Sequence, residues 1–302
     1  MSQRDQSTSE EEEDEEEGDE EEEIACFEDD TDSFMLRKRE FQFAGLPPVA
    51  LHQDFVCVEG TGGAVWRPSV QFSKFVCSEA GRVRLPLAGR AVLEISSGLG
   101  LGAIVAWHLG ACPVVATDID SANGPMALLA RNVKENCLRE CSAAAGESPG
   151  SRGDAVRDST GRASNGRKKS AEEVARGAAT GCPSPRVQSL RWGDAAQLRE
   201  ALDNFHGFGP DVVLACDVVF DDELLPALTE TLVEACCLLP TREGTRPCLC
   251  VSHQKRNRRR EDSFFEGLAR RLGGGEWRMV HQQDDLSVFI FSYLEVGAEG
   301  GL

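Results

Sequence analysis

From residue 90 onward the apolar positions follow two rhythms. Short segments at 90–95, 113–117, 187–190, 211–216 and 247–252 read as strands, and 211–216 is continuous and apolar, the form of a strand buried on both faces. Between them lie longer stretches with apolar residues every three or four positions. Helices are predicted over 101–110 and over 123–137, where Met126, Leu129, Ala130 and Val133 share one face. Two more are predicted over 223–239 and 262–272. A closing pair of strands is predicted at 277–281 and 286–294, the last with clear alternation. Residues 34–76 are mixed, with scattered aromatics. Strand-helix alternation of this kind predicts an α/β domain, a parallel sheet with helices on both faces.

Two segments interrupt the pattern. Residues 1–32 hold eighteen acids and a single base, Arg4, so they carry −17 of the net −19, and the other 270 residues are nearly neutral. A self-repelling run with few apolar residues is expected to be disordered. It serves solubility, or it engages a basic partner. Residues 141–185 are rich in Ala, Gly, Ser and Arg and are expected to be a disordered insertion in a surface loop. The expected organisation is an acidic tail at 1–32, one domain over 33–295 interrupted by 141–185, and a short tail at 296–302.

Other compositional features narrow the classes. Residues 95–117 carry no formal charge, long enough to span a bilayer. Glycines, His108 and Pro113 break them up, and strand-loop-helix-strand fits better, so no membrane association is expected. The twelve cysteines include no C-x-x-C pair, and most sit in apolar segments. With no apolar leader at the acidic N-terminus, this predicts reduced thiols in a cytoplasmic protein, with the nucleus as the alternative location. The histidines form no ligand-spaced pair, so no metal is expected. Lys255-Arg256-Asn257-Arg258-Arg259-Arg260 is either a solvated loop or a face toward an acidic partner. It lacks interleaved aromatics, so no dedicated nucleic-acid site is expected.

The first strand carries Glu94 and runs into Ser96-Ser97-Gly98-Leu99-Gly100-Leu101-Gly102; the second ends in Asp118, twenty residues after Gly98. A glycine turn between strand and helix lets backbone approach a ligand, and a carboxylate closing the next strand can hold ribose hydroxyls. The spacing departs from the dinucleotide G-x-G-x-x-G, with Ser96 in the place of the first glycine. That favours a nucleoside without a pyrophosphate, S-adenosylmethionine. Ser96 can adopt the turn if its φ stays negative, which leaves Gly98 and Gly100 to make the close approach.

Several segments together resemble the seven-β-strand protein-lysine methyltransferases of methyltransferase family 16, the methyltransferase-like 21 group. They are Gly60-Thr61-Gly62-Gly63-Ala64-Val65-Trp66-Arg67-Pro68, the glycine loop from Leu93, Leu109-Gly110-Ala111, Thr117-Asp118, Asn132-Val133-x-x-Asn136, Leu190-Arg191-Trp192-Gly193, Asp211 to Phe220, and Ser263-Phe264-Phe265. They cover roughly 55–295. The resemblance implies a Rossmann-like, seven-stranded class I methyltransferase sheet, S-adenosylmethionine as cofactor, and a lysine of a folded protein as acceptor. Chaperones, ATPases and elongation factors are the implied substrate classes. The chain is expected to be a monomer.

By the same resemblance, Asp217 orients the acceptor amine and Phe220, in place of the usual tyrosine, walls its channel. Asp118 binds ribose and Glu94 the methionine amino group. Trp192 and Trp66 pack on the cofactor, Ala215 offers it a small side chain, and Ser96, Gly98 and Gly100 form its loop. Each has a plainer reading: helix caps for Asp118 and Asp217, backbone N–H bonds from the turn for Glu94, and core packing for Trp192, Trp66 and Ala215. The departures at Ser96 and Phe220 leave open an arginine or histone methyltransferase, or a cofactor-binding scaffold without catalysis. The fold also hosts small-molecule acceptors.

Overall fold

A computed structural model of the chain describes residues 31–58, 60–144 and 182–293. Nearly all of the acidic tail and of the 141–185 insertion, and all of 296–302, lie outside the described residues. The domain opens with α1 (Thr31–Met35), the hairpin β1 (Lys38–Phe41) and β2 (Val49–His52), then α2 (Arg67–Cys77) and α3 (Glu79–Arg84). Strand-helix alternation follows: β3 (Val92–Ile95), α4 (Leu101–His108), β4 (Val114–Asp118), α5 (Met126–Ala144), β5 (Arg186–Ser189), α6 (Ala195–Asp203), β6 (Val212–Cys216), α7 (Leu225–Cys237), β7 (Cys248–Gln254) and α8 (Arg258–Arg271). The chain ends in the hairpin β8 (Gly275–Gln283) and β9 (Leu286–Tyr293).

The main sheet has seven strands in the order β5-β4-β3-β6-β7-β9-β8. Pairings from β5 through to β7 are parallel, and β9 enters antiparallel between β7 and β8. The order reverses at β3, and there open α/β sheets bind ligands beyond their strand ends. A six-element doubly wound sheet with a reversed strand inserted near one edge defines the class I methyltransferase fold.

Side chains alternate between two apolar layers. Val92, Leu214, Cys250 and Val288 face a layer with Phe72 and Phe75 of α2, Ile104 of α4 and Leu129 of α5. Leu93, Val213, Ala215 and Val251 face the opposite layer, with Leu198 and Leu202 of α6, Leu228 and Leu232 of α7 and Leu268 of α8. The charge-free stretch 95–117 is explained by α4, whose eight residues are all buried. No helix among the described residues is long and apolar enough to cross a membrane.

The small hairpin β1–β2 is fastened to α5 by two asparagines. Asn132 accepts from the His52 N–H (2.8 Å) and donates to the His52 and Leu99 carbonyls (3.0 and 3.1 Å). Asn136 accepts from the Ala50 N–H (2.9 Å) and donates to the Ala50 and Asn132 carbonyls (2.9 and 2.8 Å). Four helical residues rise about 6 Å, and two strand residues rise about 6.8 Å. The Asn-x-x-x-Asn spacing therefore matches every second residue of β2 on the edge that β1 leaves unpaired.

One expectation is corrected here: Cys112 and Cys182 form a disulfide. Val115 pairs with Arg186 across parallel β4 and β5, so both strands begin at the same end. The residues just before them meet there, despite a sequence separation of 70. Cys77, Cys137, Cys236 and Cys250 are buried in the core.

Candidate active site

Of the residues singled out in the sequence, Glu94, Ser96, Gly98, Gly100, Asp118, Ala215, Asp217 and Phe220 lie near or just beyond the C-terminal ends of β3, β4 and β6. Glu94, in the middle of β3, is 1% exposed. Its carboxylate turns toward α4 and accepts the Ala103 N–H at 2.8 Å, a bond to an unsatisfied amide of the helix's first turn. Gly102 makes this approach possible, since a Cβ there would meet Glu94 Oε1 at 2.2 Å. Burial pushes Glu94 up to about 8, against hydrogen bonds from Ser97 and Ala103, and the neighbouring Asp118 charge adds to the rise.

Asp118 ends β4 and is also buried. One oxygen accepts the Gly98 N–H at 2.7 Å and the other the Ile119 N–H at 2.8 Å. Burial raises its pKa, and these two amides pull it back. Asp118 thus closes the glycine loop onto β4, and each oxygen retains a lone pair. Ser97 adds a second tie: its N–H donates to the Thr117 carbonyl at 2.8 Å, and its hydroxyl accepts the Thr117 N–H at 3.1 Å.

Two readings of the loop are corrected. Ser96 has φ 58°, not a negative value. The left-handed turn that a glycine would take is imposed on a serine, and the hydroxyl gains a partner: Trp192 Nε1 donates to Ser96 Oγ at 2.9 Å. Gly100, at φ 87°, caps α4 and faces α5, where a Cβ would meet Leu129 Cδ1 at 2.6 Å. Its missing side chain makes room for a core leucine. The open approach belongs to Gly98, where a Cβ would have the Gly62 carbonyl as its neighbour at 3.7 Å.

That carbonyl comes from the turn preceding α2, which Trp66 braces. The Trp66 indole donates to the Thr61 carbonyl at 2.7 Å, and its ring packs against Phe34 at 5.1 Å and Phe55 at 6.5 Å. Trp192, beyond β5, stands across the loop with its ring 6.1 Å from that of Phe220. Ala215 is wholly buried in β6, in register between Ile95 and Val251, and faces the α7 layer.

Asp217 follows β6 at φ 57°, with its N–H on the Ser252 carbonyl at 2.8 Å. Its carboxylate is engaged by a residue the sequence did not single out. Arg256 grips both oxygens, Nη1 to Oδ1 at 2.6 Å and Nη2 to Oδ2 at 2.7 Å. Within a run of basic residues, nothing marked Arg256 as the inward one. The plainer reading of Asp217 as a helix cap finds no support, since α7 begins without a side-chain cap.

Glu261 was also missed. It accepts the Arg256 N–H at 2.6 Å and the Asn257 N–H at 2.8 Å, and lies 3.1 Å from His253 Nε2. Burial opposes its charge, but His253 and these amides win and hold its carboxyl below the usual range. It lies four residues after Asn257, the N-cap of α8, one beyond the usual capping-box spacing, so no local motif marked it.

Strand order and site position together define a class I methyltransferase fold. In sequence the chain is similar to the protein N-lysine methyltransferase METTL21A of Danio rerio, 29% identical over 184 residues. The match covers 61% of this chain and 59% of that protein, so the chain spans under two thirds of its relative. No family model matches. Among solved structures, the rRNA methyltransferase aviRa from Streptomyces viridochromogenes aligns at TM-score 0.41 and 18% identity, over 78% of this chain and 88% of that one. The T. thermophilus 16S rRNA N2 G1207 methyltransferase RsmC, in complex with AdoMet and guanosine, aligns at TM-score 0.47 and 14% identity, over 86% of this chain and 51% of that one.

Proposed function

We propose that this chain is an S-adenosylmethionine-dependent methyltransferase acting on a lysine side chain of a folded protein. The observation that carries the reading is the pair of buried carboxylates, Glu94 and Asp118, on either side of the glycine loop. Both are raised by burial, and neither forms an ion pair among the described residues. A buried acid without a cation calls for a ligand that brings one. S-adenosylmethionine carries an ammonium and a sulfonium, and a ribose whose hydroxyls suit a strand-end acid.

The bound cofactor supplies an electrophilic methyl group on sulfur. The chain's own task is positioning. Asp118 is suited to the ribose, Glu94 to the ammonium, and Gly98 to close backbone approach. The Trp192 and Phe220 rings, 6.1 Å apart, are suited to wall a long, narrow acceptor such as a lysine stem on its way to Asp217. METTL21A is named as a protein lysine methyltransferase, which supports the same acceptor here. The substrate is expected among chaperones, ATPases or elongation factors.

The test is transfer of tritium from methyl-labelled S-adenosylmethionine into a whole-cell protein extract, with Asp118→Ala as control. Discrete labelled bands that release methyl-lysine on hydrolysis, absent in the control, are expected. Cofactor binding without any labelled protein overturns the protein-substrate reading, and label in methyl-arginine overturns the lysine reading. Asp217→Ala is expected to keep cofactor affinity within a few-fold and to lose turnover.

A further inference from the structure

We infer that Arg256 is a positioning residue: by gripping Asp217 it lets the carboxylate orient an acceptor amine without keeping that amine protonated. The inference rests on the lysine-methylation reading above. A lysine amine has a reference pKa of about 10.4, and only its neutral form carries the attacking lone pair. A lone carboxylate beside it stabilises the ammonium, the wrong form for the reaction. A partnered carboxylate can still accept a hydrogen bond, because a bidentate guanidinium leaves lone pairs free on both oxygens.

The geometry suits such a device. Asp217 and Arg256 side chains are 7% and 16% exposed, so solvent screens their pairing little. The guanidinium is held on its far side as well, with Nη1 3.4 Å from the Gln254 carbonyl and Nη2 3.4 Å from Gln254 Oε1. Gln254 in turn donates to Asp285 at 2.7 Å, and Asp285 lies 3.4 Å from Arg67 at the start of α2. Glu261 fixes the Arg256 backbone, and His253 sits behind it. The Cys216 thiol, next to Asp217, is pushed well above its usual range by burial and adds no charge.

On this basis the entering ammonium gives its proton to water, because Arg256 already balances Asp217. The nitrogen lone pair then forms the N–C bond while the C–S pair leaves with sulfur. The product N-methylammonium releases a proton to solvent.

The experiment uses the full chain and the protein bands labelled in extract by methyl-tritiated S-adenosylmethionine, with initial rates taken from pH 6 to 10. S-adenosylhomocysteine affinity by calorimetry serves as the control for fold and cofactor site. Arg256→Gln is expected to bind S-adenosylhomocysteine within about three-fold of wild type. Its rate at pH 7 is expected to fall about tenfold and its pH profile to move up by about one unit, the same factor seen two ways. Arg256→Lys, which keeps the charge, is expected to restore the profile.

The pair Asp217→Asn with Arg256→Gln leaves no uncompensated buried charge, and so serves where Arg256→Gln alone fails to fold. It is expected to be slow but to keep the wild-type profile; an upward displacement in this pair overturns the inference. So does an unchanged profile in Arg256→Gln, or a faster rate at pH 7, which would make Arg256 a plug. A wild type that labels nothing overturns the lysine reading itself, and this inference with it.

Discussion

Replacing Asn136 by alanine tests whether the Asn-x-x-x-Asn pair is what docks the N-terminal hairpin. The substitution deletes both hydrogen bonds to Ala50 and the one to the Asn132 carbonyl. Ala50 is 3% exposed, so water cannot replace what its N–H and C=O lose. Each unsatisfied buried polar group costs about 1–3 kcal/mol. The two on Ala50 together predict a loss of about 3 kcal/mol, or about 6–12 °C in Tm for a domain of this size. Asn136→Asp sharpens the test at equal volume. It keeps an acceptor for the Ala50 N–H but sets a carboxylate against two carbonyls, so it is expected to cost more than alanine at pH 7. Urea denaturation supplies the free energies, and exchange of the Ala50 amide reports the local site. Asn136→Ala within about 0.5 kcal/mol of wild type, or Asn136→Asp as stable as wild type, would refute the docking role.

Three further outcomes follow from the site. Glu94 is raised from 4.5 to about 8, so between those values the folded chain holds a proton that the unfolded chain has released. Its contribution to stability is therefore fully present below about pH 4.5 and lost as pH rises toward 8, by up to about 5 kcal/mol. Glu94→Gln is expected to flatten that decline in denaturation curves at pH 5 and pH 8. Cofactor binding to wild type at pH 7 should release a proton, seen as a buffer-dependent calorimetric enthalpy; equal slopes and no proton release would remove the role of burial. Gly100→Ala combines a left-handed φ with a 2.6 Å clash on Leu129 and is expected to destabilise by about 2–4 kcal/mol; a neutral result in denaturation would mean that α5 shifts freely. Ser96→Gly relieves a positive φ worth about 1–2 kcal/mol while losing a hydrogen bond worth about 1, so it should match or exceed wild type, whereas Ser96→Ala should fall by about 1 kcal/mol. Alanine proving more stable than glycine would contradict the left-handed backbone at Ser96.

How far the sequence carried the reading depended on how local each signal was. Strands β3, β4, β6 and β7 were legible because short, mostly apolar runs such as Val212-Val213-Leu214-Ala215-Cys216 have few other uses. Helix α6 went unread although Asp194 caps it, accepting from the Ala196 and Gln197 amides, and Leu198, Ala201 and Leu202 line one face. Its apolar stripe is short and its surroundings polar. Helix α2, with Pro68 in its first turn and Phe72, Phe75 and Val76 inward, was hidden in a segment read as mixed. At the site, Glu94 and Asp118 were legible because strand, turn and carboxylate follow one another in sequence. Arg256 was not, since its partner Asp217 lies 39 residues away across two adjacent strands. The Cys112–Cys182 pair failed for the same reason: parallel strand pairing brought the two together, and no local spacing encodes it.

Ser96 and Phe220, the two departures from the pattern that the chain resembles, meet on one side chain. Trp192 gives its indole N–H to the Ser96 hydroxyl and lies against the Phe220 ring. A glycine at 96 would leave that indole N–H in need of another acceptor, and a tyrosine at 220 would bring a phenol oxygen to the same neighbourhood. The serine and the phenylalanine are therefore read as one coupled change. The double variant Ser96→Gly with Phe220→Tyr is expected to retain more stability and cofactor affinity than the sum of the single variants, by about 0.5 kcal/mol or more, as residues sharing a partner do. Denaturation and S-adenosylhomocysteine calorimetry on the four proteins of the cycle measure the coupling. Additivity within about 0.3 kcal/mol in both would show that Trp192 does not link the two positions, and that each departure stands alone.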